Sequence, residues 1–359
     1  MWKTNWEETK RHFTDWWNRE GLVVGMMGTL WPDGVCHEDM PKPPEPASVR
    51  DSFVNAELRA RRIHWDLAHR IYPADILPIA HTDIGPGSLA LFIGSEPGFS
   101  KETVWFEPCI HECTDPESLP PFEFDESNHW WQVTEAILRE CRKLAEGKYL
   151  VGCPDLVENV DILAALREPQ TLMMDMVERP EWVEQKVAEI NQVWFEAYDR
   201  IYDIIKLEDG SAAFDAFRLW GPGKTAKVQC DAAAMFSPDM FRRFVVPALT
   251  EQCEWLDYSM FHLDGTQAMC QLDALLEIEA LDAIEWTPQS GIESGGDPRW
   301  YAMYERILAA GKSVQAIHVR RDEIEPLLDA VGKDGVYMFV RCSGPDEAAE
   351  IVRVVESHG

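Results

Sequence analysis

Eight short apolar runs, each separated from the next by a longer amphipathic stretch, constrain this chain more than any other feature. The runs are 21–31, 75–85, 149–156, 212–220, 259–266, 281–288, 312–320 and 335–342. Runs of this length read as buried strands, and the intervals carry apolar residues at helical spacing. The helical intervals are 49–72, 127–147, 164–206, 239–257, 297–311, 322–332 and 345–357. Regular strand–helix alternation with no composition break predicts α/β architecture, a single (β/α)8 barrel over residues 1–359. Periodicity leaves a doubly wound open sheet as the alternative.

Two segments stand outside the alternation. Residues 1–20 place Trp2, Trp6, Phe13, Trp16 and Trp17 near helical spacing, which predicts a capping helix. Residues 86–125 are rich in Pro and Gly and strand-like, which predicts an inserted excursion with a hairpin after the second strand. Ser48, behind the Pro-rich 41–51 loop, suits a helix N-cap.

Composition narrows the function. The formal charge of −30 repels phosphate backbones and anionic membranes, so nucleic acid and membranes are not expected partners. Nine scattered cysteines without a C-x-x-C pair suit a reducing compartment. The opening residues hold no apolar signal core, and a cytoplasmic location is expected.

In a barrel of this kind chemistry gathers at the C-terminal strand ends. The polar residues there are His81 and Asp83; Asp155, Glu158, Asn159 and Asp161; Gln229 and Asp231; His262 and Asp264; Glu285; His318; and Cys342. His262, Glu285 and Cys342 are zinc-ligand types on three strand ends, with Asp264 two residues beyond His262 on the same side of an extended chain. The alternative is that each satisfies a loop hydrogen bond. Cys109-x-His111-x-Cys113 alternates as on one strand face but lacks a nearby fourth ligand, so no metal is expected there. Gly221-Pro-Gly-Lys224 lacks the rest of a phosphate loop. Trp31 and Trp286 could wall a substrate pocket, with core packing as the alternative for each.

The run Ser237-Pro238-x-Met240-Phe241-Arg242-x-Phe244-x-x-Pro247, preceded by Asp231 and followed by His262-x-x-Gly265, resembles the uroporphyrinogen decarboxylase superfamily. The resemblance spans residue 50 to the C-terminus and implies a (β/α)8 barrel. The decarboxylase branch carries an arginine-rich run after the first strand, whereas no arginine occurs here between Gly21 and Val49. Uroporphyrinogen, with its many carboxylates, is therefore not an expected substrate. The methyltransferase branch holds zinc through His-x-Cys on the fifth strand and Cys on the eighth. His262 and Cys342 match two of those positions, and Asp264 replaces the middle cysteine. Glu285 falls where cobalamin-independent methionine synthases have a glutamate.

This resemblance implies a zinc-dependent methyltransferase, with metal at His262, Glu285, Cys342 and Asp264 and substrate contacts from Gln229, Trp31 and Trp286. Asp83 falls where the decarboxylase branch has its catalytic aspartate, and in a lyase reading Asp83 and Asp231 are the catalytic carboxylates that would stabilise a developing cation. The substrate would be a small molecule, and a corrinoid would arrive on a partner protein, since no D-x-H-x-x-G module occurs in the chain. The rival readings are a carboxy-lyase acting on a tetrapyrrole or another carboxylated substrate, and a non-catalytic barrel binding a corrinoid or tetrapyrrole.

Overall fold

The computed structural model describes residues 1–28 and 30–358. Its strands are β1 (Leu22–Met27), β2 (Ile79–Ala80), β3 (Glu96–Phe99), β4 (Val104–Glu107), β5 (Leu150–Cys153) and β6 (Ala212–Phe214). They continue as β7 (Leu219–Gly221), β8 (Thr225–Gln229), β9 (Tyr258–Asp264), β10 (Ala283–Thr287), β11 (Ser313–Val319) and β12 (Val336–Arg341). Six strands form a parallel sheet in the order β1-β12-β11-β10-β9-β8. A second sheet runs β2-β5-β6-β7, with β7 antiparallel to β6.

Two seams separate these sheets. At one, Asp75 ahead of β2 bonds both polar groups of Val24 in β1: its amide donates to the Val24 carbonyl at 3.0 Å, and its carboxylate accepts the Val24 amide at 2.9 Å. At the other, β6 lies against β8.

Trp6–Trp17 is a helix whose Phe13, Trp16 and Trp17 are buried. It seals the end where strands begin: the Trp16 indole donates to the Val314 carbonyl at 3.2 Å and the Trp17 indole to Trp220 at 2.9 Å. Ser48 caps its helix by accepting the Asp51 amide at 3.0 Å. That helix is two helices, Val49–Val54 and Ala56–Ala68, because Asn55 starts a second cap by accepting the Leu58 amide at 3.2 Å. The expected helix over 164–206 is three, Asn159–Arg167, Pro169–Glu178 and Pro180–Ile205; a proline opens each new helix, since its ring cannot continue the preceding one.

The excursion contains the expected hairpin, β3 with β4. Residues 109–113 are a turn rather than a strand, which corrects the one-face reading of Cys109, His111 and Cys113. The cause is Arg167, whose guanidinium collects the carbonyls of Ile110 at 2.6 Å, His111 at 3.3 Å and Cys113 at 2.8 Å. The fourth strand–helix unit is also more elaborate than expected. The run 212–220 folds back on itself as β6 and β7, and the next parallel strand is β8.

Candidate active site

One register row of the six-stranded sheet is polar on five of its strands, β8 to β12, and ends at Val23 on β1. Gln229 pairs with His262, His262 with Glu285, Glu285 with Gln315 and Gln315 with Tyr337. Residues directly paired in parallel strands share a face, so the row presents an amide, an imidazole, a carboxylate, an amide and a phenol side by side. Glu285, Gln315 and Tyr337 are fully buried there.

At the centre of the row, His262 Nδ1 donates to Glu285 Oε2. The other Glu285 oxygen accepts the Thr287 hydroxyl at 2.6 Å. Burial pushes the Glu285 carboxyl up and the Asp264 charge adds to it, with His262 and Thr287 pulling it back. For His262, burial opposes the imidazolium, but the charge and hydrogen bond of Glu285 outweigh it and the pKa is raised. Since Nδ1 is engaged, Nε2 is the nitrogen left for a ligand.

His262, Asp264 and Asp231 each offer a donor atom within 4.8 Å of the others. The two carboxylates sit at the ends of β9 and β8. Asp231 is presented by Asp161, whose carboxylate accepts the backbone amides of Asp231 at 2.6 Å and Ala232 at 2.9 Å. Burial, with the Asp231 charge adding, raises the Asp161 carboxyl to about 6. Beside Asp231 runs a surface groove of about 500 Å³, with Phe106 and Pro108 of the excursion facing Val157, Ile162 and Met235.

A second histidine group stands at the ends of β2 and β6. His81 Nδ1 donates to Asp215 Oδ2 and lies 3.6 Å from Asp83 Oδ2. Asp215 also pairs with Arg218, while Arg59 donates to the backbone carbonyl of Asp83. Asp83 is pushed up to about 7, chiefly by burial, with His81 opposing and the charges of Asp215 and Asp155 adding. Asp215 is held low: the Arg218 charge and His81 overcome its burial. Between the carboxylate-rich β5 end and the His262 row, Lys227 is wholly buried and pairs with Asp155 at 2.8 Å.

The two groups share one turn. After Asp215 the chain passes through Phe217 and Arg218, both with positive φ (59° and 55°), a conformation unusual for bulky residues and characteristic of functional sites. The far members of the polar row hold this turn: Gln315 Nε2 donates to the Phe217 carbonyl at 2.9 Å and the Tyr337 hydroxyl to that of Arg218 at 3.2 Å. The Phe217 ring then lies 4.6 Å, centroid to centroid, from His262.

The residues singled out in the sequence therefore separate. His262, Glu285, Asp264 and Asp231 converge, whereas Asp83 belongs to the His81 group. Cys342 does not join either group: its thiol donates to the Gly344 carbonyl at 3.1 Å, in the turn just beyond β12. Gln229 is engaged at both ends of its amide, by Lys227 and by Asp161 at 3.3 Å. Trp286 corrects the expectation of a pocket wall. Its neighbour Glu285 faces the polar row, so period two turns Trp286 to the other face, where it is fully buried 4.9 Å from Trp300. Trp31 is half exposed over a separate groove beside Lys42 and Trp65. His318 forms the β11 bulge with φ 58° and lies outside both groups. Asp215 and Lys227 were not singled out; a charged residue inside a short strand-like apolar run was their only sequence signal.

No protein-family model matches the chain, and no curated protein matches it. Among solved structures it is similar to a methyltransferase from Methanosarcina mazei, with 12% identity, a TM-score of 0.61 and 97% of this chain aligned to 98% of that one. It is also matched, at 12% identity and a TM-score of 0.49, to a B12-independent methionine synthase from Shewanella sp. W3-18-1, over 94% of this chain and 99% of that one. At this identity the first likeness establishes a shared fold. No helix among the described residues is long and apolar enough to cross a membrane.

Proposed function

We propose that this chain is a metal-dependent methyltransferase of the uroporphyrinogen decarboxylase superfamily, built on a closed (β/α)8 barrel, with zinc held by His262, Asp264 and Asp231. The observation that carries this reading is the convergence of the Asp264 and Asp231 carboxylates on His262, whose Nδ1 is engaged by Glu285. Carboxylate–histidine–metal arrangements orient the ring and raise its basicity. The donor set fits zinc: one imidazole nitrogen and two carboxylates are ordinary zinc ligands, with a fourth position left for substrate. Glu285, with both oxygens engaged, is assigned to orient His262, and Cys342 is left outside the ligand set.

Bound there, the ion would act as a Lewis acid that lowers the pKa of an incoming nucleophile. An all-N/O set is harder than one with thiolates and widens the acceptor class from thiols to alcohols and amines. The protein's own groups supply position. Asp161 fixes the loop carrying Asp231, Phe217 covers the His262 ring against water, and the apolar groove beside Asp231 suits the face of a large methyl donor. A corrinoid carried by a partner protein fits that role in size and chemistry.

The test is zinc content of protein purified without chelator, together with methyl transfer from methylcobalamin to 2-mercaptoethanol. About one zinc per chain and measurable transfer are expected, both lost in His262→Ala. Full zinc in His262→Ala would overturn the assignment.

A further inference from the structure

We propose that His81 and Asp215 form a proton-transfer dyad serving the same mouth as the His262 group, with His81 Nε2 as the catalytic base and Asp215 as its positioning residue. This deepens the methyl-transfer reading and rests on it for the identity of the reaction.

Three observations carry it. First, the tautomer is set by chemistry: an ionised carboxylate only accepts, so the bond to Asp215 keeps the proton on Nδ1 and leaves Nε2 with its lone pair. The Asp215 side chain is 3% exposed while that of His81 is 59% exposed, so a buried anchor holds an accessible ring. No bond to His81 Nε2 is made among the described residues.

Second, the turn over 215–218 joins the dyad to the other group, with Asp215 on His81 and Phe217 on His262. The bonds from Gln315 and Tyr337 fix both contacts at once. Third, the charges facing His81 favour proton transfer over a cation. Arg218 pairs with Asp215 and Arg59 reaches the carbonyls of His81 and Asp83, while Asp83 Oδ1 accepts the Asp155 amide. A metal ion at His81, Asp83 and Asp215 would sit beside these guanidinium groups, whose repulsion the low-dielectric surroundings strengthen. Burial disfavours the imidazolium, but Asp215 and Asp83 outweigh it and Arg59, and the His81 pKa is raised.

An acceptor X–H gives its proton to His81 Nε2, and the pair left on X forms the X–C bond to the methyl group. The bond between that carbon and the donor breaks, its electron pair stays on the donor, and His81 returns its proton to solvent or to the donor. Asp215 remains ionised throughout. Acceptor and donor are a thiol or other weak acid and a methyl-corrinoid.

The experiment uses methylcobalamin and 2-mercaptoethanol with zinc-loaded full-length protein, and histidine-selective ¹⁵N NMR of the same chain. His81→Gln is expected to lower kcat by about 100-fold or more with zinc content unchanged, and imidazole is expected to restore part of the rate of His81→Ala. Asp215→Asn is expected to lower the His81 pKa and move the acidic limb of the rate profile to lower pH, since the carboxylate favours the imidazolium. The ¹⁵N shifts are expected to show the Nδ1–H tautomer in the wild type and a mixture in Asp215→Asn. The dyad is overturned if His81→Gln keeps the wild-type rate, if it loses zinc, or if Asp215→Asn leaves the His81 titration unmoved. Failure of the metal reading shows differently, as zinc retained in His262→Ala, and the NMR titrations still decide the dyad.

Discussion

His262 and His81 are built alike and surrounded differently. Each gives Nδ1 to a buried carboxylate, Glu285 in the middle of β10 for one and Asp215 just past β6 for the other. Around His262 the further partners are carboxylates with the Lys227 ammonium as the opposing charge, whereas around His81 two arginines offset the carboxylates. The supports differ too. Glu285 sits within a ladder of five-residue and seven-residue strands, while Asp215 follows a three-residue strand and depends on its turn. A histidine–carboxylate pair thus has no fixed job: the charges behind the carboxylate decide whether the free nitrogen suits a cation or a proton.

The largest expected effect separates the two anchors. Glu285→Gln should weaken zinc binding by about 10–100-fold, the usual cost of losing a partner that orients a ligand histidine. Asp215→Asn should leave zinc affinity where it was. Competition with a chromophoric chelator measures both, and equal losses in the two variants would erase the distinction.

A second variant tests the supports. A Cβ on Gly152 would lie 2.7 Å from Asp215 Cβ and 2.8 Å from the Ile79 side chain, between β2 and β6. Gly152→Ala should destabilise the protein by about 1–3 kcal/mol, as overpacked cores do, and disturb the His81 titration while zinc stays bound. Denaturant melts and the same histidine spectra check this; unchanged stability would mean the short strands yield more freely than their packing implies.

The smallest effect comes from a third pair of the same kind, away from the mouth. His12 Nδ1 lies 2.9 Å from Asp75 Oδ1, and that hydrogen bond, against burial, raises the His12 pKa. A raised folded-state pKa contributes stability that is fully present below the unfolded value of about 6.5 and disappears as pH rises through the folded value. With a third of its side chain in solvent, His12 should contribute less than about 1 kcal/mol. Wild-type Tm should therefore exceed that of His12→Gln at pH 5.5, with the gap closing by pH 8.5. A gap that widens with pH would reverse the sign of the pairing.

Much of this arrangement was legible in the residues. Apolar runs marked the strands because parallel strands bury both faces, and the aromatic spacing of residues 6–17 marked the cap. His262, Asp264 and Glu285 stood out because charged residues interrupted those runs at their ends. Strand β8 was missed for the converse reason: Lys227 and Gln229 break its apolar pattern, and only tertiary partners from Asp155 and the Glu158–Asp161 segment make their burial tolerable. The grouping of Asp83 with Asp215 rather than with Asp231 depends on which strand ends meet across space, which spacing along the chain does not encode. The direction of the Cys342 thiol likewise follows from a local turn.

The cap that seals the strand-entry end has a consequence in time. Trp16 bonds a carbonyl 298 residues away, and Ser313 reaches back to the Trp16 carbonyl across 297. That part of the helix thus finds its partners only after the long intervening stretch of chain has been made. Contacts of such long sequence separation slow folding and lengthen the exposure of partly formed intermediates. Until β11 forms, the Trp16 edge of that helix lacks its seat, and the apolar face it shares with Phe13 and Trp17 is held by β1 and β7 alone.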